Sequence, residues 1–456
     1  MIDKQLKPSK YNFFAEDFNG DLIITNLLFN TFAKVSKDKK NLVLSILKGN
    51  LESSHYQQSI IDNMNKFNFL IDCDLDEGAL LDLQYYNIVY SDERLEITII
   101  PTDACDFNCI YCYQDNECRN YMTEDVQERL IKYLKKNIKK HQQLVISWFG
   151  GEPLLAKKTV LRIMEEIKDI CTRASVPFVS RMSTNGFNLD FETFQKLTSL
   201  HVLHYQITID GVPEIHNKQR PHKSGKNSFD TIVDNLKKIR DDYKSKNISI
   251  GLRINTTPQI VERMNDFLDF LQQEFGDDKR FSIIWEWVRD WGGEKILYQN
   301  HAIVKSPSLL TAWMDESTKR GLSSIDLYLF KNGLGLCEAC KKNGYIINYD
   351  GTVCKCTLAI NDANYRNTNT VGILDPFGKM NIDNKKLSKW LIREPKEKCL
   401  ECVVLPYCMS ASCPYGNKIL QSENCPPIEE LLPYLLRNYS SQGKIPTLEG
   451  DNIYGS

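Results

Sequence analysis

From about Leu95 the chain alternates short apolar runs with longer stretches whose apolar residues recur at three- and four-residue steps. LEITIIPT (Leu95–Thr102), LVISWF (Leu144–Phe149), FVSRMS (Phe178–Ser183), HYQITI (His204–Ile209), ISIGLRI (Ile248–Ile254) and FSIIWEWV (Phe281–Val288) are predicted strands. Between them Val126, Leu130, Ile131, Leu134 and Ile138 form one helical stripe, with Thr123 at its N-cap position, and Met264, Phe267, Leu268, Leu271 and Phe275 form another. Strands that each return through a helix predict an α/β fold with a parallel sheet and right-handed crossovers, either an open doubly wound sheet or an incomplete TIM-type (β/α)6 barrel. Both gather ligands at the carboxyl ends of the strands.

The pattern differs on either side of this core. In YNFFAEDFNGDLIITN (Tyr11–Asn26) the pair Asn19-Gly20 separates two β-prone runs, which predicts a hairpin, and helical patterns follow over Asn41–Leu47 and Tyr56–Phe67. Residues 1–90 therefore read as a small α+β unit and residues 91–302 as the barrel. Beyond about Ala302 the alternation stops. Residues 303–456 read as an irregular domain whose dense cysteines, rather than a large apolar core, hold it together, with a short helix near Ile428–Arg437.

Composition narrows the function classes. The chain has 456 residues with 57 basic against 59 acidic, so no global basic field exists to hold nucleic acid or an anionic membrane. No apolar run reaches the roughly 18 residues of a membrane span, and the start, MIDKQLKPSKYNFF, lacks the apolar core of a signal peptide, so a cytoplasmic location is expected. Fifteen cysteines in that compartment point to metal or redox chemistry rather than disulfides. Cys73 and Cys171 stand apart and read as small buried hydrophobes.

Cys105, Cys109 and Cys112 follow the first strand as C-x3-C-x2-C. Three thiolates in one loop hold three irons of a 4Fe-4S cube and leave the fourth open; a zinc knuckle borrowing Cys118 is the alternative, though zinc sites more often pair cysteines as C-x2-C twice. With Tyr111 in its aromatic position, the motif resembles the radical SAM signature C-x3-C-x-aromatic-C. That resemblance implies S-adenosylmethionine on the open iron and a 5′-deoxyadenosyl radical after one-electron reduction by a flavodoxin- or ferredoxin-type donor. Gly150-Gly151-Glu152, after the second strand, is similar to the family's motif that meets the methionine amino group. By the same analogy Ser183, Asn185 and Asp210 line the ribose and methionine side and Arg253 meets the carboxylate. All of these lie after, or at the end of, predicted strands.

A second cysteine group comprises Cys337, Cys340, Cys354, Cys356, Cys399, Cys402, Cys408, Cys413 and Cys425. It resembles the SPASM extension, which carries two auxiliary 4Fe-4S clusters. Family topology implies Cys337, Cys340, Cys356 and Cys413 on the first and Cys399, Cys402, Cys408 and Cys425 on the second, for three clusters in all. The chain departs from the pattern in having Met-Ser-Ala-Ser between Cys408 and Cys413, and in the extra thiol Cys354. Ahead of a radical SAM core, the hairpin-plus-helices unit resembles the winged-helix-like domain that captures leader peptides of ribosomally made natural products, by adding the peptide as a strand to a sheet edge. The resemblance implies a peptide maturase, with a Cys thioether as the favoured product. Carbon–carbon crosslinking and epimerisation stay open, as does a sulfatase maturase, although that family places an acid where Thr357 stands; a plain iron-sulfur electron carrier is the non-enzymatic alternative. No residue is singled out as catalytic base. Glu286, Arg289 and Asp290 after the sixth strand, and His216 and Arg220 after Asp210, are expected either to face substrate or to be packed or solvated.

Overall fold

The computed structural model describes residues 5–49, 55–114, 119–288, 306–323, 336–360, 366–409, 425 and 428–448. Cys118, Arg289, Asp290 and Cys413 lie outside them.

The amino-terminal strands are β1 (Leu6–Pro8), β2 (Asn12–Glu16), β3 (Leu22–Asn26), β4 (Thr31–Val35) and β5 (Leu70–Asp72). The six predicted core strands follow as β6 (Arg94–Ile99), β7 (Gln143–Trp148), β8 (Phe178–Thr184), β9 (Val202–Thr208), β10 (Ser249–Thr256) and β11 (Phe281–Trp287). These six lie side by side in chain order, each parallel to the next. An unbroken order settles the architecture, because a doubly wound sheet reverses direction at a switch point and this one does not. It is an incomplete (β/α)6 barrel.

Alternation along the strands separates its two faces. Ile146, Trp148, Met182, Tyr205, Ile207 and Leu252 are buried in one core with the stripes Val126–Leu134 and Met264–Phe275. Thr123 caps the first crossover helix by accepting from the Val126 amide at 3.4 Å. The inward positions Ser147, Arg181, Ser183, His204, Gln206 and Ser249 are polar and stay half-buried or exposed, so the barrel encloses a cavity rather than a packed centre. Register sets Ser147, Arg181, His204 and Ser249 in one layer.

The carboxyl-terminal region departs from expectation. Strand β12 (Gly344–Ile347) pairs in parallel with β6, from Gly344 opposite Glu96 to Ile347 opposite Ile99. Strands β13 (Thr352–Cys354), β14 (Thr370–Leu374) and β15 (Met380–Ile382) continue outward as an antiparallel meander, giving a ten-stranded sheet. Part of residues 303–456 is thus an extension of the barrel sheet, with its own buried Val353, Val371 and Leu374. Strands this short, broken by Asn348 and Asp350-Gly351, carry no periodic signal, and β12 finds its partner far away in sequence.

At the other end β2, β3 and β4 form an antiparallel sheet with Asn19-Gly20 in the β2–β3 turn, where Gly20 takes φ +84°. Helices α1 (Lys40–Leu47) and α2 (His55–Lys66) cover the Ile24, Ala33 and Val35 face; the helix Ile428–Ser441 covers the Ala15 and Ile23 face through Ile428, Leu432 and Leu436. A third helix, α3 (Glu77–Val89), is capped by Asp76, which accepts from the Gly78 and Ala79 amides. Its Leu81, Tyr85 and Val89 pack with Cys340, Leu391 and Leu405. Residues 1–90 are therefore built against the second cysteine group and share cores with it. Among the described residues no helix is long and apolar enough to cross a membrane.

Candidate active site at the strand ends

Cys105, Cys109 and Cys112 occupy the loop after β6, Cys109 buried and the other two half-buried. The segment after β9 holds that loop: Ile110 donates to Gln219 O and Asn108 to Pro221 O, both at 2.9 Å, and Lys223 donates to Asp106 O at 2.8 Å. Phe187 stacks on His222 with ring centroids 4.3 Å apart. His216 and Arg220 are accordingly not solvated; both are buried. His216 Nδ1 accepts from the Asp210 amide at 3.1 Å. Burial pushes the His216 imidazole well below its ordinary range, with Arg220 adding to the effect, so the ring is neutral.

Arg220 donates to the Tyr111 hydroxyl at 2.9 Å, lies 4.0 Å from the Asp210 carboxylate and sits over the Phe107 ring at 5.4 Å. Asp210 is 0% exposed; it also accepts from the Asn255 amide at 2.8 Å and from the Tyr111 hydroxyl. Burial raises its carboxyl, opposed by Arg220 and these donors. Tyr111, the aromatic of the signature, thereby ties the cysteine loop to the ends of β9 and β10. Arg253 donates to Asn255 Oδ1 at 2.9 Å, and Asn185 donates to Asp106 Oδ1 at 2.7 Å. The residues singled out in sequence do meet at one end of the barrel, Ser183 lining its cavity.

The glycine pair has a use that the sequence reading did not anticipate. The Gly151 amide donates to Thr102 O at 3.2 Å and the Glu152 amide to Ala104 O at 2.8 Å. A Cβ on Gly150 or Gly151 would fall under 3.0 Å from backbone oxygens of residues 102–104, and Gly150 also takes φ +139°. The close approach is to the cysteine loop. Gly151→Ala is expected to cost about 2–4 kcal/mol by forcing that loop away, seen as a lower melting midpoint together with weaker iron retention.

Glu152 is 1% exposed and accepts from the Leu154 amide, the Thr184 hydroxyl and the Asn185 amide at 2.9, 2.7 and 2.7 Å. It braces the end of β7 against the end of β8. Burial raises its carboxyl from 4.5 to about 7, against the pull of those donors. The fold thus favours the protonated form, whose stabilisation is complete below pH 4.5 and is lost as pH rises through about 7. In apoprotein melts the stability of the wild type relative to Glu152→Gln is expected to fall across that window by on the order of 3 kcal/mol.

The thiols suit an iron-sulfur cluster. The Phe107 amide points at Cys105 Sγ from 3.4 Å, as it would toward an anionic sulfur, and buried Arg220 Nε has no acceptor among the described residues. No three His, Cys, Asp or Glu side chains among the described residues are grouped to grasp a single ion; a cube asks for less convergence, since each thiolate binds a different iron. Residues 99–267 match the Radical SAM superfamily. The chain carries a radical SAM domain. A cysteine-type anaerobic sulfatase-maturating enzyme of Clostridium novyi is 28% identical over 192 residues, 40% of this chain and 50% of that protein. The sporulation killing factor maturation protein SkfB of Bacillus subtilis is 30% identical over 140 residues, 30% of this chain and 32% of that protein. The chain spans about half the length of the first curated relatives it matches. The structure of native anSMEcpe with bound AdoMet and Cp18Cys peptide aligns with a TM-score of 0.57 at 16% identity, over 77% of this chain and 100% of that one, a likeness of fold.

Within the radical SAM domain the barrel cavity measures about 390 Å³ and is lined by Ser147, Arg181, His204, Gln206, Glu338 and Thr357, among others. Glu338 comes from the turn between Cys337 and Cys340; it pairs with Arg181 and accepts from Thr98 Oγ1 at 3.3 Å. Sequence reasoning missed Arg181, His204 and Glu338, although polar residues at alternate, inward positions of β8 and β9 carried the signal. Glu286 is half-buried at the end of β11, while neighbouring Trp285 stacks on Trp313 at 5.6 Å and packs the wall.

The second cysteine group divides. Cys340 is buried, Cys337 exposed and Cys356 half-buried; Lys355 donates to Lys341 O at 2.6 Å, its ammonium driven down to about 7 by burial with Cys340 and Cys337 opposing. Cys399 and Cys408 both act on the Cys402 thiol, which burial raises, so these three share a locality; Cys425 is exposed. Cys354 instead packs in an apolar cluster with Ile100, Ile346 and Ile360. Burial raises the Tyr113 hydroxyl, with Cys112 and Cys356 adding to the rise, so Tyr113 lies near both cysteine groups. Of the two isolated thiols Cys171 is buried as expected, whereas Cys73 is exposed, a correction that follows from its place just past the end of β5.

Proposed function

We propose that this chain is a radical SAM peptide maturase that oxidatively crosslinks a ribosomally made precursor peptide, joining a Cys sulfur to carbon. The observation that supports it best is the barrel cavity, whose wall takes in Glu338 and Thr357, neighbours of Cys337 and Cys356, in a barrel whose first core strand leads into Cys105, Cys109 and Cys112. When bound, the cluster and S-adenosylmethionine supply a 5′-deoxyadenosyl radical. The peptide carbon would give up one hydrogen atom, which ends in 5′-deoxyadenosine, and the thiol a proton; the surplus electron would go to an auxiliary 4Fe-4S cluster, which the second cysteine group would hold. The product is lighter than the precursor by two hydrogens. The reading takes Ser183, Asn185, Asp210 and Arg253 as the S-adenosylmethionine side of the site, Cys337, Cys340, Cys356 and Cys413 as one auxiliary ligand set and Cys399, Cys402, Cys408 and Cys425 as another.

Anaerobically reconstituted protein, reduced in the presence of its peptide, is expected to release 5′-deoxyadenosine and to hold about twelve irons per chain. A peptide unchanged in mass indicates epimerisation, and loss of its sulfur indicates formylglycine. The second outcome has one supporting observation, a carboxylate, Glu338, in the cavity; against it stands Thr357 where the sulfatase maturases place an acid. Glu338→Gln is expected to slow peptide conversion by roughly 10²-fold or more as the Arg181 pair is lost, leaving peptide-free cleavage of S-adenosylmethionine intact in the same assay.

A further inference from the structure

The edge of the amino-terminal sheet is already occupied. Strand β4 borders the three-stranded sheet, and along its outer side runs Ile445–Leu448, returning from the helix Ile428–Ser441. The Lys34 amide donates to Pro446 O and the Leu448 amide to Lys34 O, each at 2.8 Å, a parallel bridge centred on Thr447. From α2, Asn63 Nδ2 donates to Leu448 O at 2.9 Å. The Leu448 side chain is 1% exposed and completes the apolar core that Val35, Ile60 and Met64 belong to. Thr447, between the two anchors, is exposed.

These contacts are two ladder bonds, one amide clamp and one aliphatic anchor. An extended peptide docking on a sheet edge uses the same set, backbone bonds for affinity and a side-chain pocket for selection. We propose that Ile445–Leu448 is an intramolecular occupant of the peptide-docking edge, and that the precursor engages by displacing it with an extended segment carrying Leu or Ile in the Leu448 pocket. The inference rests on the peptide-maturase reading and adds to it a selection rule and a restraint: a precursor must outcompete a strand that is tethered beside the site. A tether of this length presents its strand at an effective concentration in the millimolar range, so weak or anchorless peptides are excluded.

The probe is a fluorescein-labelled peptide with the sequence of Lys444–Gly450, followed by anisotropy on full-length protein without reductant or S-adenosylmethionine. Leu448→Asp, which frees the edge, is expected to bind the probe at least about ten-fold more tightly than the wild type, and a probe with Asp at the Leu448 position is expected to bind neither. Equal affinities for wild type and variant overturn the proposal, as does dimerisation of a chain ending at Gly443, which assigns the edge to a second copy. On unaltered protein, excess probe is expected to speed hydrogen exchange at the Leu448 amide; unchanged exchange also overturns it and does not depend on how the variant folds. Both readouts bypass the radical chemistry, so 5′-deoxyadenosine formation separately decides the maturase reading.

Discussion

Alanine at Cys109 is expected to abolish reductive cleavage of S-adenosylmethionine, by more than about a thousand-fold, while the barrel still folds. Cys109 is the buried member of the trio, and burial pushes its thiol up to about 12 with Arg220 pulling the other way. Left to itself such a group is a small inert hydrophobe; as a cluster ligand it must be a thiolate, and metal binding provides the deprotonation. The truncation removes one buried sulfur and leaves a small apolar void, worth about 1–2 kcal/mol. Melting therefore shifts modestly, whereas iron per chain drops by about four. Retained cleavage activity in the alanine variant would falsify the assignment of this loop to the cluster.

Arg220→Met is the second large effect. Arg220 is 6% exposed, faces Asp210 and Tyr111 and acts on Cys109, so its removal strands a buried carboxylate and unpins the segment that holds the cysteine loop. Breaking a buried pair from one side costs about 3–5 kcal/mol, to be read from denaturant melts. In whatever protein still loads a cluster, loss of the neighbouring positive charge makes the cluster harder to reduce, so the reduction potential moves to more negative values. Arg220→Lys restores the charge without the two-sided geometry and is expected to recover the potential more fully than the stability. A potential unmoved by either variant limits Arg220 to bracing the loop.

The barrel was legible in advance because its strands are buried on one face and each is followed by an amphipathic helix, as in Leu144–Phe149 or His204–Ile209. The ends of those strands were legible too, since Cys105, Gly150, Asn185, Asp210 and Arg253 fall at equivalent points in successive units. What these residues do was less so. Glu152 and Asp210 read as ligand-facing carboxylates, yet much of their hydrogen bonding holds one strand end to the next, a choice made by loops whose mutual packing leaves no periodic trace. Arg181 and Glu338 escaped notice because they become neighbours only when the second cysteine group folds onto the barrel. The β12–β15 extension escaped for a similar reason, its strands being too short to announce themselves without their partners.

The pairing of β12 with β6 also sets an order of events during synthesis. Strand β6 is made early, and the strand that covers its outer edge is encoded beyond the whole barrel. Until β12 emerges, a nascent barrel carries bare ladder groups along Leu95–Ile99, the kind of edge through which partly made chains pair with one another. A polypeptide interrupted before Gly344 therefore keeps its cysteine loop and its six consecutive strands but is prone to associate, and yield of dispersed protein depends on how quickly the last quarter of the chain arrives.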